Sequence, residues 1–387
     1  LSKMKLGMIA SSVLAASIAA IPYSYAQRTL SHAHAYPSGT LPHEAAKQYA
    51  ADVEAFSGGE LAIKVYPLTL LSGSEMSDGI RDGLADSGQV LTVYFPSLYP
   101  HTNMVNESSM QLQLFDPDLV DNGRGALAFE GAMSEFIFEH CPECNQEYAD
   151  QNQVYTGNSA SARYSLLCTQ EVTELAHMDG LRLRVAGAHW SRWIHELGGT
   201  SVSMTIGELT EALDQGVVDC TASALPELIN LGMTDVVTDI TTDIPGGVYA
   251  GASTASTNQD VWQSLTPDQR RALLKAGAYY AAALPYESVI RVGQTLDRAR
   301  EAGIRIHQAS PEVLQATREF VEKDLRRNIG YYATRHGITR GEEMLAQFRE
   351  LLEKWVHLVQ DIDSTEALGD LYWNEVYSKV NVLEHGV

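Results

Sequence analysis

The feature that most restricts the fold of this chain is an alternation of strand-like and helix-like stretches beginning at Arg28. Arg28 to Ala35 reads as a strand. Pro42 to Ser57 follows as a helix, with proline in its first turn and Gly58-Gly59 closing it. Leu61 to Tyr66 alternates at period two and stops at Pro67. Glu75 to Leu84 reads as a short helix, and Gln89 to Tyr94 as a third strand. This order predicts an α/β architecture. No Gly-x-Gly-x-x-Gly stands at the first turn, so a dinucleotide fold loses its main support.

Further along, Tyr164 to Cys168, Leu181 to Val185 and Thr200 to Met204 read as strands around a helix near His189 to Leu197. Thr205 and Glu208 form a capping box, Gly216 closes that helix, and Val217 to Cys220 reads as a short strand. Thr266-Pro267-Asp268-Gln269 is a second capping box, opening a long helix through about Arg300. Ser310-Pro311 begins another. From about Tyr331 the pattern is amphipathic helix. There Leu345, Phe348, Leu352, Trp355, Val356 and Val359 form a stripe suited to core or docking.

The N-terminal segment bears on compartment. Lys3 and Lys5 precede an apolar stretch from Leu6 to Ile21, and Ser24-Tyr25-Ala26 offers small residues at positions −3 and −1 of a cleavage site. Residues 1–26 are therefore expected to be a cleaved secretory signal peptide. About 360 residues remain, more than one hydrophobic core normally serves, so two domains are expected. Losing two lysines takes the formal net charge from −22 to −24. A polyanionic surface without a basic run argues against nucleic acid or anionic lipid as partner.

Four cysteines follow the leader: Cys141, Cys144, Cys168 and Cys220. His140-Cys141-Pro142-Glu143-Cys144 fits half a zinc site, a redox pair or a small-loop disulfide, and a lone CxxC lacks the second ligand pair that zinc requires. Cys168 ends one strand-like run and Cys220 another, where the two could pair. Three connectivities stay open.

No catalytic constellation emerges. His195-Glu196 lacks the second histidine of a zincin. Gly157-Asn158-Ser159-Ala160-Ser161 departs from the nucleophile elbow at its last position. His32 and His34 sit two apart on the first strand, spaced like metal ligands but more simply a solvent-facing or hydrogen-bonded pair. No enzymatic activity, cofactor or metal is expected.

Specific residues narrow the class. His177-Met178-Asp179-Gly180-Leu181-Arg182-Leu183-Arg184-Val185 resembles the D-[LM]-x-G-x-[KR]-[IL]-R strand of TRAP-transporter solute receptors, the DctP-like family, with His177 in place of the aspartate. Asp214-Gln215-Gly216-Val217-Val218-Asp219 is similar to that family's Q-G-x-[VI]-D element, although Cys220 replaces the usual following glycine. Asn258-Gln259-Asp260-Val261-Trp262, then Leu265 and Gln269, resembles its N-x-D-x-W-x-x-L-[ST]-x-x-[QE] element. In the N-terminal third, Ser57-Gly58-Gly59, Lys64-Val65-Tyr66-Pro67 and Asp82-Gly83 fall in the family's order. The resemblance runs from near Arg28 to near Gly330, and the tail beyond is longer than the family usually carries.

The resemblance implies a class II-type periplasmic binding protein: two α/β lobes, hinge strands near Tyr155 to Cys168 and Ile244 to Ser256, and a long bracing helix from Pro267. Lobe I is expected over residues 27–159 and 247–290, lobe II over 160–246 and 291–330, and a helical C-terminal extension over 331–387. It implies a periplasmic receptor that binds a small organic carboxylate, an aromatic or hydroxy acid among the candidates, closes about its hinge and delivers it to the membrane subunits of a TRAP transporter. A ligand-sensing module for a chemoreceptor or kinase is the alternative, and a secreted α/β enzyme a more distant one. Arg184 takes the family's carboxylate-binding position, because a planar guanidinium donates two parallel hydrogen bonds and stays charged. Arg163 falls where many members place a second ligand-facing arginine. Ser223 stands where many have an asparagine. Asn258 is expected as a hinge or pocket hydrogen-bonding residue. Tyr94 and Trp190 are expected to line the cleft with aromatic surface.

Overall fold

The computed structural model describes residues 27–387; the expected signal peptide lies outside the described residues. Twelve strands are described: β1 Arg28–His34, β2 Leu61–Pro67, β3 Ser87–Leu91, β4 Gln153–Val154, β5 Asn158–Ser159, β6 Tyr164–Cys168, β7 Arg182–Val185, β8 Thr200–Ser203, β9 Cys220–Ala224, β10 Asp239–Pro245, β11 Ala252–Asn258 and β12 Arg305–His307. They form two six-stranded sheets. The first runs β2-β1-β3-β11-β4, with β5 also on β11; the second runs β12-β10-β6-β9-β7-β8. This is the two-lobed α/β architecture expected.

The chain crosses between sheets after β5 and returns between β10 and β11. The two crossing segments hold each other. Ser161 N–H donates to Tyr249 O at 2.8 Å and Tyr164 N–H to Gly247 O at 3.0 Å. A third crossing is the helix Pro267–Glu301, 35 residues and about 50 Å long. Thr266 caps it in the capping box read from sequence. Leu273, Leu274 and Tyr280 near its start pack in the core of the first sheet. Val292, Leu296 and Ala299 near its end pack in a core of the second.

The structure departs from the sequence reading at three places. The third strand stops at Leu91, and Thr92–Tyr94 form a single 3-10 turn. Thr92 Oγ1 donates to Gly251 O at 2.9 Å, and Asn103 Nδ2 donates to Thr92 O at 3.0 Å, so the backbone bends there. Val217 to Asp219 stay outside the strand, which begins at Cys220. Asp219 is occupied instead by Arg182, whose N–H and Nε–H it accepts at 2.9 and 3.0 Å. Third, His32 and His34 are not solvent-facing: both are fully buried, and His32 Nδ1 pairs with Ser87 Oγ at 3.1 Å.

The C-terminal stretch is built into the body. Helix Pro311–His336 runs uninterrupted through Tyr331, and Gly341–Leu358 then lies along Arg124–Glu135. Phe348 meets Phe129 and Phe136 edge-on at 5.0 and 5.8 Å. Gly131 permits the close approach of Trp355, since a Cβ there would stand 2.3 Å from the indole. Near the end of the chain, Arg270 Nη1 donates to Val382 O at 3.0 Å and Trp262 Nε1 to His385 O at 2.8 Å. The apolar stripe is core.

The cysteines pair as Cys141–Cys144 and Cys168–Cys220, which removes zinc ligation and free thiols at both. Cys168 and Cys220 face each other directly across β6 and β9. Their bond spans a sequence separation of 52. Replacing both by alanine should therefore cost about 2–4 kcal/mol through freedom gained by the unfolded chain. Urea titration of the double variant checks this; a cost under about 1 kcal/mol would mean the strand pair is insensitive to the crosslink.

Candidate functional site

Ligands of open α/β sheets settle outside the carboxyl ends of the strands. In the second sheet that end of β7 carries Arg184, which pairs in parallel with Val202 of β8 and Thr221 of β9. Its side chain is 1% exposed. Nε and Nη2 both donate to Met204 O, at 3.2 and 3.0 Å, which fixes the guanidinium plane. Among the described residues it has no ion-pair partner, although two carboxylates, Glu208 and Glu227, lie near enough to feel its charge. A buried cation in this state is costly unless something anionic completes it.

The first sheet supplies the facing wall. The turn Thr92–Tyr94 carries Tyr94 across the gap, where its hydroxyl accepts the Ile206 N–H at 2.9 Å. Burial raises the Tyr94 phenol and Arg184 draws it back down. Tyr36, just past β1, faces Glu227, Tyr94, Tyr164 and Tyr249, and burial raises its phenol strongly. A cavity of 290 Å3 opens beside this cluster, between Ala35, Pro37 and Tyr94 on one side and Ile206, Thr210 and Asn230 on the other. Arg184 is not among the residues that line that cavity.

The remaining expected residues divide. Ser223 is buried on β9, two residues beyond Arg184's partner Thr221, and faces Ser165 of β6. It shares the neighbourhood of Arg184. Trp190 does not line the cleft: it is fully buried behind Tyr164, the rings stacked at 4.0 Å and 5°, with Nε1 donating to Gly246 O at 3.0 Å. The aromatic surface beside Arg184 is that of Tyr164 instead. Arg163 opens onto a separate cavity of 500 Å3 with Asp121 and Arg318, and its Nη2 donates to Asp243 O at 3.1 Å. Asn258 sits at the far end of β11, where its Oδ1 caps Val261 N–H at 3.1 Å and its Nδ2 donates to Ile80 O at 2.8 Å. The structure gives it a helix-capping task away from Arg184.

Sequence reasoning missed Glu227. It follows β9 through Leu225-Pro226 and opens the short helix Glu227–Asn230. A carboxylate just past a strand's carboxyl end was the available signal. Its Oε1 accepts from Asn230 Nδ2 at 3.4 Å, and its Oε2 is enclosed without a partner among the described residues. Burial pushes its pKa up to about 7 against the downward pull of Arg184. Tyr36 was missed with it.

Residues 146–329 match the family DctP, bacterial extracellular solute-binding protein family 7. Among solved structures, a marine metagenome TRAP solute-binding protein from an unidentified microbe, specific for pyroglutamate, is similar with a TM-score of 0.69 and 18% identity over 84% of this chain and 99% of that one. Another marine metagenome TRAP protein, specific for aromatic acids and holding metahydroxyphenylacetate, matches with a TM-score of 0.72 and 19% identity over 84% and 99%. A Rhodoferax ferrireducens TRAP protein with copurified benzoate matches with a TM-score of 0.71 and 16% identity over 86% and 100%. These likenesses establish the fold. No helix among the described residues is long and apolar enough to cross a membrane.

Proposed function

We propose that this chain, whose residues 146–329 match the DctP family of bacterial extracellular solute-binding proteins, is the periplasmic receptor of a TRAP-type transporter, capturing a small organic carboxylate at Arg184. The observation that carries the proposal is a guanidinium 1% exposed, held along one edge by Met204 O and lacking an ion-pair partner among the described residues. An arriving carboxylate would complete it with charge-assisted bonds, each worth about 1.5–3 kcal/mol. The ligands of the similar proteins, pyroglutamate, metahydroxyphenylacetate and benzoate, share a carboxylate and a small flat ring.

Capture by lobe closure follows from the same geometry. Contacts across the gap, such as Tyr94 to Ile206, exist only when the sheets approach. A ligand that touches Arg184 on one side and Tyr94 on the other binds the closed form better than the open one. That difference in affinity shifts the population. The closed receptor would then deliver its ligand to membrane subunits. The test is a thermal-shift screen of purified protein against organic acids, sugars and amines. An acid at about 100 times its dissociation constant should stabilise by about 2.7 kcal/mol. Best hits among uncharged sugars or amines would sink the carboxylate reading.

A further inference from the structure

Capture through Arg184 leaves Glu227 without a role, although it stands in the same cluster. The carboxyl has one weak partner, Asn230 Nδ2 at 3.4 Å, and its Oε2 is enclosed with none among the described residues. Enclosed oxygens of this kind are normally satisfied. The charged and titratable groups facing it are Arg184 of β7, Tyr164 of β6, Tyr36 just past β1 and Tyr94 past β3. No ion pair joins Glu227 to Arg184 among the described residues.

We propose that Glu227 enters the complex as a neutral carboxylic acid and selects ligands with an uncharged donor–acceptor group, a lactam or a hydroxyl, opposite their carboxylate. This rests on the reading of Arg184 as the carboxylate anchor. The three tyrosines are neutral and offer Glu227 no positive charge, so Arg184 alone favours its ionised form. When an anion docks on Arg184, that favour is cancelled and a second negative charge arrives. Both effects disfavour the carboxylate. Burial already holds the free group near 7, so the bound group is protonated across neutral pH. A protonated carboxyl presents one O–H donor and a carbonyl acceptor. A lactam or hydroxyl can use both, whereas an ammonium requires the ionised form.

The proton balance gives the sign. Above a free pKa of about 7, each ligand bound takes up one proton at Glu227. Affinity should therefore fall about tenfold from pH 6 to pH 8, a range in which the ligand's own carboxylate stays ionised. Calorimetry should use shape-matched pairs, pyroglutamate against cyclopentanecarboxylate and 3-hydroxybenzoate against benzoate, with proline as the zwitterion. In the pair that fits, the polar member should bind at least about tenfold tighter, one hydrogen bond's worth. Glu227→Gln keeps shape and neutrality, and should preserve that preference while flattening the pH dependence. Glu227→Leu should erase the preference and leave the apolar acid bound. The assignment is overturned by proline outranking the neutral ligands, by a preference that survives Glu227→Leu, or by pH-independent wild-type binding. Intact acid binding with any of these results removes this assignment alone. If no acid in a broad carboxylate panel binds, the Arg184 reading fails and takes it along.

Discussion

Arg184→Ala should raise the dissociation constant for the captured acid by about 10²–10⁴-fold, because two charge-assisted hydrogen bonds of about 1.5–3 kcal/mol each disappear. Arg184→Lys keeps the charge but loses the planar fork, so it should fall between wild type and alanine. The ligand-free protein should respond differently. Arg184 is a buried cation without an ion pair among the described residues, with Nε and Nη2 donating to Met204 O. Arg184→Met retains apolar bulk and removes the desolvated charge, so the melting temperature without ligand should hold or rise. Affinity and stability would then move in opposite directions at one residue, as expected where a site is kept incomplete until its ligand arrives. Binding by Arg184→Ala within about threefold of wild type would remove the anchor from the mechanism.

The position of Arg184 near the end of β7 was legible because its signal is local and repeated. Strand periodicity, the turn at Gly216 and the family-like run ending in Leu183-Arg184-Val185 all lie within 40 residues of sequence, and each constrains the next. The first five elements and the capped helix from Pro267 were legible for the same reason: caps, prolines and period-two runs act over a few residues. Glu227 and Tyr36 were not, because they become a pair only when the two sheets meet. Trp190 shows the converse. Its position next to the strand end suggested a cleft wall, but the crossing segment carries Tyr164 in front of it, and the stacked indole serves as backing. Asn258 was placed by motif, and β11 then ran away from the gap to deliver it to a helix cap. The histidines of β1 were read as a solvent-facing or hydrogen-bonded pair, and burial left only the second alternative, met by His32 with Ser87, because strand alternation fixes which residues share a face, not which face the helices cover.

Arg192 carries the second large expectation, one of folding rather than affinity. Its Nε and Nη2 donate to the two oxygens of Asp324 at 2.7 and 2.8 Å, a planar fork, and its Nη1 reaches Glu107 Oε2 at 3.3 Å. Glu107 also accepts Ala188 N–H at 3.1 Å and the Tyr332 hydroxyl at 2.9 Å. These residues come from the helix Ala188–Glu196 beside the second sheet, the end of the helix Pro100–Asn106 and the helix Pro311–His336. One cation thus ties three elements together. Both carboxylates are buried, Asp324 at 6% exposure and Glu107 at 5%. Burial raises the Glu107 carboxyl and Arg192 pulls it back down. Arg192→Ala should therefore destabilise the protein by about 3–5 kcal/mol, the cost of leaving buried charges uncompensated. An exposed ion pair would cost no more than about 1 kcal/mol. Urea denaturation separates the two. Protonation of the abandoned carboxylates gives a further sign: lowering the pH toward 5 should recover part of the loss in Arg192→Ala, because the unpaired groups neutralise. A loss near the surface value, or one indifferent to pH, would mean that the three elements are held by their apolar contacts and that the arginine merely decorates the joint.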